Sequence, residues 1–263
     1  MNKSVNKEQI IVSLTSFPEA IPCAVQAIRS VLKGTLLPDK VVLYLDTQKF
    51  PEGKLPPELE ALKTESPIFE VRFDDAVIRS YKKLIPALRD FPNDVIVTID
   101  DDIYYYPDML SKLVQTHKRL PKAIIAHRVR RINLNKPYRK WHKYKWFYFI
   151  FKRIHSSYKN LQTGVGGVLY PPNSLKKEML DANLFTIIAP TMDDIWFWAA
   201  AVANNTPVIP VPFGYHKLID IKKPNEISLK TINFRSGIDR NAETLNTILE
   251  KYPIIKQRVL NEK

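Results

Sequence analysis

The sequence has a single cysteine, Cys23, among its 263 residues. One cysteine excludes an intramolecular disulfide and a zinc site made of several thiolates, and it fits a reducing compartment. Glycine is scarce as well, with 7 residues against 20 prolines, so we expect loops with restricted backbone freedom. The GxGxxG fingerprint of dinucleotide-binding folds is absent, which argues against an NAD enzyme.

Long hydrophobic runs are also missing. The apolar and aromatic stretch of residues 146–151, like every other apolar stretch of the chain, is far shorter than the roughly 20 residues that a membrane-spanning helix needs. The polar residues 1–9 lead directly into an apolar segment, so no secretory signal is visible. We therefore expect a cytoplasmic protein that stays in solution or lies on a membrane surface.

Acidic residues are too few to balance the basic ones. The chain has 40 lysines and arginines against 27 aspartates and glutamates, which gives a net charge of +13. Such a chain is expected to meet an anionic partner: nucleic acid, an anionic membrane surface or a phosphorylated small molecule. Apolar residues make up 45% of the chain and its length suits one domain, so a globular fold is expected.

Short apolar runs alternate with helical patterns along the chain. Strands are predicted over residues 10–14, 41–45, 69–73, 95–99, 123–126, 164–170 and 208–212. Helices are predicted over residues 19–32, 58–62, 79–88, 107–119, 193–203 and 242–251. Continuously apolar strands that alternate with helices predict a parallel sheet covered on both faces, a doubly wound α/β fold.

Polar side chains follow the predicted strands where each strand ends. Thr15 follows the first strand, Asp46 the second and Asp74 the third, and an acidic triplet begins at Asp100 after the fourth. In a parallel sheet the carboxyl ends of the strands lie at one edge, and ligands bind there. The sequence therefore predicts a binding site at this edge.

The triplet Asp100-Asp101-Asp102 is the sharpest of these signals. Three adjacent carboxylates at the end of a buried strand repel one another unless a cation neutralises them. In an extended segment Asp100 and Asp102 point to the same side, so we expect these two to address one ligand while Asp101 faces elsewhere. Oxygen donors favour Mg²⁺ or Mn²⁺ over zinc, and such an ion can stabilise a departing diphosphate. The alternative is a solvated acidic turn.

Two further motifs are typical of sites that approach a phosphate or a sugar. Lys82 and Lys83 stand in RSYKKL at the start of a predicted helix, where backbone N–H groups and cations bind phosphate. In TGVGG, Gly164, Gly166 and Gly167 concentrate glycine in a glycine-poor chain, so the backbone can come close to a ligand. A solvated basic helix start and a structural bulge are the respective alternatives.

Asp193 and Asp194 open a predicted helix directly before IWFW. One carboxylate can cap the helix, which leaves the other free to act as a catalytic base or to orient an acceptor hydroxyl. Pure capping is the alternative. His216 follows the last predicted strand, and it is a candidate either for a metal ligand or for a structural role.

In their order, these motifs resemble the GT-A glycosyltransferases. The DDD, TGVGG and DDIW segments are most similar to exostosin-type catalytic domains and related bacterial cell-surface polysaccharide transferases, and the resemblance covers residues 10–216. It implies one domain with a mixed, mostly parallel sheet flanked by helices and an acceptor-side subdomain. The nucleotide-binding half would span residues 8–120, the acceptor-binding half 121–220 and a C-terminal helical tail 221–263.

The resemblance also implies a role for each donor-side residue. Thr15 would touch the nucleoside, and Asp46 would lie near its base. Lys82 or Lys83 would lie near the nucleotide. Asp100 would approach the ribose, and its neighbour in the triplet, Asp101, would belong to the same donor site.

On the metal and acceptor side, the resemblance implies that Asp102 binds the metal ion, together with Asp100 and the late His216. Gly166 and Gly167 would line the acceptor or donor sugar. Asp194, with Asp193 beside it, would face the reacting centre.

Together, these features predict a metal-dependent transferase that moves a monosaccharide from a UDP-sugar to a hydroxyl of a bacterial surface glycan, such as lipopolysaccharide or capsule. A base at Asp194 would give inversion, whereas an Asp194 that only positions the acceptor would allow retention. One alternative is a sugar nucleotidyltransferase, but the LTSFPEA segment after the first strand lacks that class's glycine-rich signature. The other is a nucleic-acid-binding module, which leaves the acidic triplet unexplained.

Basic and aromatic side chains are interleaved in residues 128–159. This composition suits an anionic membrane surface, and it would also suit single-stranded nucleic acid or an ordinary subdomain with aromatic residues in its core. Because transferases that extend lipid-linked glycans need such a surface, we expect peripheral association with the inner face of the cytoplasmic membrane and no nucleic-acid partner.

Overall fold

The computed structural model describes residues 8–144, 150, 154–211, 218–223 and 240–262. Within these residues the chain forms a seven-stranded sheet and two small sheets. The strands are β1 (Ile10–Thr15), β2 (Lys40–Asp46), β3 (Phe69–Asp74), β4 (Val95–Thr98), β5 (Ile103–Tyr104), β6 (Ile124–Ala126), β7 (Val129–Arg131), β8 (His142–Lys143), β9 (Asn160–Gln162), β10 (Val168–Tyr170), β11 (Val208–Pro210) and β12 (Ile219–Asp220). The α-helices are α1 (Ile21–Leu32), α2 (Pro57–Glu65), α3 (Ile85–Asp90), α4 (Met109–Arg119), α5 (Ala182–Ile188), α6 (Asp193–Ala203), α7 (Arg240–Lys251) and α8 (Pro253–Asn261).

The large sheet has the strand order β11-β6-β10-β4-β1-β2-β3. Adjacent strands in this sheet run parallel, except that β10 is antiparallel to both β4 and β6. The predicted α/β fold with a mixed, mostly parallel sheet is therefore confirmed. Because Val168 at the start of β10 pairs with Thr98 at the end of β4, the glycine loop before β10 reaches the carboxyl edge of the parallel strands.

The core lies on both faces of this sheet because side chains alternate along each strand. Ile11 and Ile96 pack on one face with residues of α6, whereas Val12 and Val97 pack on the other face with residues of α1 and α4. All four side chains are fully buried. The two layers of helices thus fix the sheet, and the strand ends at its edge are held with it.

Helix α6 is buried along almost its whole length, since every residue from Ile195 to Val202 has an exposure of 1% or less. The indole N–H of Trp196 donates to the Met179 carbonyl oxygen at 2.7 Å, and that of Trp198 donates to the Tyr158 carbonyl oxygen at 2.9 Å. The C-terminal helices α7 and α8 pack on this core through buried apolar side chains. These are Leu245, Ile248, Leu249, Ile255 and Val259.

Two predicted elements differ in the structure. The helix expected over residues 79–88 is divided into a 3-10 helix, Arg79–Lys83, and α3, which has Pro86 in its first turn. Proline lacks an N–H and restricts the residue before it, so the helix begins anew at this point. The strand expected over residues 164–170 begins only at Val168, because the glycines before it have positive φ angles.

The predicted helix over residues 193–203 coincides with α6. Helices α5 and α8 and the two small sheets are not among the elements predicted from the sequence. Among the described residues, no helix is long and apolar enough to cross a membrane.

Candidate active site

The carboxyl edge of the large sheet carries the polar residues expected there. The hydroxyl of Thr15, at the end of β1, donates to the Tyr44 carbonyl oxygen at 2.8 Å. Asp46 ends β2, and its carboxylate accepts the Gln48 N–H at 3.1 Å at the start of a short 3-10 helix. Both side chains are thus held by the backbone, and their contacts with a nucleoside and its base stay predictions.

The acidic triplet lies in a turn rather than in an extended strand. β4 ends at Thr98, and the turn that leads to β5 contains Asp101 and Asp102. The alternation of an extended segment therefore does not apply here, and the expectation that Asp100 and Asp102 address one ligand stays a prediction. Instead, Asp101 Oδ1 and Asp102 Oδ2 lie 2.7 and 3.1 Å from the same atom, Lys223 Nζ.

The carboxylates of the triplet differ in burial. Asp101 is buried and accepts the Ser16 hydroxyl at 2.6 Å, whereas 40% of the Asp102 side chain is exposed. Partial burial and the charge of Asp100 raise the pKa of Asp102, and Lys223 opposes that shift. Asp102 is thus the member of the triplet that an incoming ligand can reach most directly.

The metal assignment stays a prediction. Within the described residues, no three His, Cys, Asp or Glu side chains form a group that could hold a metal ion. His216, the third predicted ligand, lies outside the described residues.

Lys82 is buried, and its ammonium group contacts the protein interior. Its Nζ donates to the Asp74 carbonyl oxygen at 2.6 Å and lies 3.8 Å from Asp74 Oδ1 and 4.0 Å from Asp46 Oδ2. Burial lowers the pKa of Lys82, although the two carboxylates oppose this. Lys82 thus joins the ends of β2 and β3, and its contact with a nucleotide stays a prediction.

Lys83 connects the triplet to the second acidic pair. Its Nζ lies 3.0 Å from Asp100 Oδ1 and 3.0 Å from Asp193 Oδ2, and its side chain is only 9% exposed. Burial lowers the pKa of Lys83, but Asp100 and Asp193 together raise it well above its usual value. The lysine is therefore charged, and this one ammonium group ties the end of β4 to the start of α6.

Asp194 is held by the glycine loop rather than by a helix cap. The N-cap position of α6 belongs to Met192, whose side chain makes no capping hydrogen bond, so neither aspartate is the cap. Asp194 Oδ1 accepts the Gly164 N–H at 2.9 Å. Burial and the neighbouring charge of Asp193 raise the pKa of Asp194 to about 7, with Lys83 opposing the shift. A carboxylate with this pKa can accept a proton near neutral pH.

Glycine is required at one position of the loop by close packing and at two others by the backbone conformation. A Cβ on Gly164 would lie 2.7 Å from Lys83 Nζ and 3.1 Å from Asp100 Oδ1, so only glycine fits against this ion pair without a shift. Gly166 and Gly167 have φ angles of 99° and 97°, which side chains rarely allow. These two glycines pack against protein side chains, and their contact with a sugar stays a prediction.

Lys223 and Ser16 are the site residues that the sequence did not indicate. Lys223 reaches the triplet because β12 pairs antiparallel with β5 and because Ile221 N–H donates to the Asp102 carbonyl oxygen at 2.7 Å. One lysine among 40 basic residues, in a short segment without clear periodicity, carries no local signal of this role.

The fold and this edge of the sheet define a class of protein, the GT-A glycosyltransferases, and comparison with solved structures agrees. The chain is similar to a mannosyltransferase, PcManGT from Pyrobaculum calidifontis, solved in complex with GDP-Man and Mn²⁺. The TM-score is 0.58 at 12% sequence identity, with 96% of this chain and 69% of the other covered. This likeness supports the fold.

The sequence model of glycosyl transferase family 2 matches residues 19–181, more than half of the chain. The protein therefore belongs to glycosyl transferase family 2 and is a glycosyltransferase. The finer resemblance to exostosin-type domains is not confirmed. No curated protein matches the chain.

Proposed function

We propose that this protein transfers a monosaccharide from a nucleoside diphosphate sugar to a hydroxyl group of a glycan and that a divalent metal ion assists. The position of Asp194 carries the proposal. This carboxylate has a pKa of about 7, and the Gly164 N–H orients it. Lys83 contacts both Asp100 and Asp193, so the proton acceptor and the acidic triplet lie at the same edge of the sheet.

The triplet has the chemistry that Mg²⁺ or Mn²⁺ requires. Oxygen atoms of Asp101 and Asp102 converge on one positive charge, the ammonium of Lys223, so both carboxylates are already directed at a cation. Carboxylate oxygens are the ligands that these metal ions prefer. We propose Asp102 as the principal ligand because it is the most exposed of the three, with Asp100 and His216 kept as predicted partners. When bound, the ion would stabilise the negative charge of the departing diphosphate.

The chain's own residues supply the proton acceptor. As the acceptor oxygen forms its bond to the anomeric carbon, the bond from that carbon to the diphosphate oxygen breaks, and the hydroxyl proton passes to the Asp194 carboxylate. Lys83 keeps Asp193 and Asp100 in place beside it. Because attack and departure occur on opposite sides of the carbon, a base at Asp194 gives inversion. Product with retained configuration would contradict the base assignment.

The donor can be identified by thermal shift with a panel of UDP- and GDP-sugars, with and without Mn²⁺. We keep a UDP-sugar as the first expectation, and the GDP-Man complex of the similar mannosyltransferase makes GDP-sugars the necessary comparison. The true donor at about 100 times its dissociation constant should stabilise the protein by about 2.7 kcal/mol. Turnover should release a nucleoside diphosphate.

Two outcomes would support the alternatives instead. Release of pyrophosphate would indicate a nucleotidyltransferase. If no sugar nucleotide shifted the melting temperature while random oligonucleotides bound in a salt-dependent way, a nucleic-acid-binding module would be favoured.

We further propose a bacterial surface glycan as acceptor and an anionic membrane as the surface where the protein works. Lys136 and Lys140 are exposed in the basic segment. Trp141, in contrast, is buried, and its indole N–H donates to the carbonyl oxygens of Asn133 and Lys136, so this aromatic belongs to the core. The aromatic residues 146–149 lie outside the described residues. Within the described residues, the exposed lysines therefore support electrostatic attraction to an anionic membrane.

Reversing charge in this segment should release the protein from anionic vesicles. Each lysine near such a surface is worth about 1 kcal/mol, so Lys140→Glu with Lys143→Glu should lower vesicle binding at low salt. Lys54→Glu with Lys63→Glu makes the same change of charge in and near α2, and it should leave binding unchanged. Turnover on a short soluble acceptor should be unaffected in both variants. Equal vesicle binding by wild type and the first variant in sedimentation assays would disprove the membrane role.

A further inference from the structure

Lys223 holds the position of a cation at the acidic triplet. Its Nζ lies 2.7 Å from Asp101 Oδ1 and 3.1 Å from Asp102 Oδ2, so one ammonium group contacts two carboxylates. The Lys83 ammonium contacts Asp100, and it contacts Asp193 as well. The chain's own lysines thus offset part of the repulsion within the triplet.

The backbone next to Lys223 is anchored, whereas its side chain can reach solvent. β12 pairs with β5, the Ile221 N–H donates to Asp102, and the Cys23 thiol lies 3.6 Å from the Lys222 carbonyl oxygen. The Lys223 side chain is 23% exposed, in contrast to 9% for Lys83. Rotation of this side chain can therefore remove its ammonium group from the carboxylates while the segment stays in place.

A divalent ion and this ammonium group compete for the same oxygen atoms. An ion held by Asp102 Oδ2 would lie beside Lys223 Nζ, which is 3.1 Å from the same oxygen atom, and two neighbouring cations repel strongly. We infer that Lys223 is an internal counter-ion that occupies the cation position in the metal-free protein and that metal binding displaces it. This inference rests on the proposed metal dependence and identifies the residue that sets the metal affinity.

Competition of this kind makes the metal ion bind weakly to the protein alone. Binding becomes favourable when the donor diphosphate adds its own negative charge and oxygen ligands. Metal and donor are thus expected to bind cooperatively, and removing the lysine should weaken that cooperativity because the metal ion no longer has to displace it.

The first test measures Mn²⁺ binding without donor, by the EPR signal of free Mn²⁺. Lys223→Met should lower the Mn²⁺ dissociation constant about tenfold relative to wild type. Lys222→Met is the matched control, since it removes one exposed positive charge from the adjacent position, and it should change the constant by less than about twofold. An unchanged or higher dissociation constant in Lys223→Met would overturn the inference.

The second test uses the wild-type protein and so does not depend on the folding of a variant. Lys223 Nζ is held 2.7 Å from Asp101 Oδ1 and 3.1 Å from Asp102 Oδ2, so acetylation of this amine should be slow without metal. Saturating Mn²⁺ should speed acetylation of Lys223, measured by mass spectrometry, while acetylation of Lys222 stays constant. Equal Lys223 labelling with and without Mn²⁺ would reject displacement.

The metal dependence of the protein and the role of Lys223 can be tested separately. If wild type and Lys223→Met bind Mn²⁺ equally and turnover requires metal, only the role of Lys223 is wrong. If neither protein binds Mn²⁺ and transfer continues in excess EDTA, the metal dependence is wrong, and the inference about Lys223 falls with it.

Discussion

Replacing Asp194 by asparagine is expected to lower turnover by about 100- to 10,000-fold, the usual contribution of a positioned base. Donor affinity should change little, because a proton acceptor acts in the transition state and contributes little to ground-state binding. Asparagine keeps an oxygen that can accept the Gly164 N–H, so the orientation of the side chain should survive. Turnover measured at saturating donor, together with the donor dissociation constant, checks this prediction.

The melting temperature of Asp194→Asn distinguishes a catalytic role of Asp194 from a structural one. The pKa of Asp194 is raised from 3.8 to about 7 in the folded protein. The contribution of this carboxyl group to stability is therefore fully present at a pH below its pKa in the unfolded chain, and it is lost as the pH rises through about 7. Above that pH the wild type holds an ionised carboxylate next to Asp193 and Asp100, and asparagine removes this repulsion. The melting temperature of Asp194→Asn at pH 8 should therefore equal or exceed that of wild type. A lowered melting temperature with parallel losses of donor affinity and turnover would mark Asp194 as structural.

The pH dependence of turnover follows from the same assignment. A base must be deprotonated, so wild-type turnover should fall as the pH drops below about 7. The charge of Asp193 helps to raise this pKa, and Lys83 lowers it. Asp193→Asn should therefore move the acidic limb of the profile to lower pH.

The second large effect is expected at the triplet. Asp102→Asn should lower metal-dependent turnover by about a hundredfold or more, because a metal ion supplies several kcal/mol of transition-state stabilisation and this change removes a charged ligand. The fold should survive, since the substitution also removes repulsion from Asp100, and Lys223 keeps its closer partner, Asp101. Turnover against Mn²⁺ concentration, with the melting temperature alongside, is the measurement.

A matched carboxylate tests whether the loss is local. Asp220 is exposed on β12, the strand that pairs with β5 next to the triplet, and Asp220→Asn makes the same chemical change. Its turnover should stay within about twofold of wild type, as for ordinary surface substitutions. Undiminished wild-type turnover in excess EDTA would refute the metal hypothesis, whatever the variants do.

The sequence predicted those features that depend on neighbouring residues. Apolar runs that end in polar residues located β1, β2, β3 and β4 and the polar edge of the sheet where we propose that the donor binds, and the IWFW pattern located α6. The antiparallel course of β10 has no local signal, because strand direction depends on where the chain returns to the sheet. The concentration of glycine predicted an unusual loop, whereas the effect of the positive φ angles on the start of β10 was not predicted.

Contacts between distant segments limited the prediction of the site. Asp101 and Lys223 are 122 positions apart, and only the pairing of β12 with β5 brings them together. The RSYKKL motif predicts that Lys83 binds phosphate. In the folded protein its ammonium group lies between the carboxylates of Asp100, which follows β4, and Asp193, in α6. A sequence pattern identifies chemical groups, whereas the fold decides which of them neutralise one another.

Because α6 is buried, this helix is not expected to move when acceptors of different shape bind. Ala199, Ala200 and Ala201 have no solvent exposure, so this helix cannot slide or rotate without disrupting close-packed neighbours. Asp194 lies in the first turn of this helix, so the packing of the core fixes its position. Differences in acceptor shape must therefore be accommodated by surface loops and by the acceptor itself. Engineering a new acceptor preference should start in those loops, because redesign near the alanines would displace Asp194, the proposed base, before it changed the binding surface.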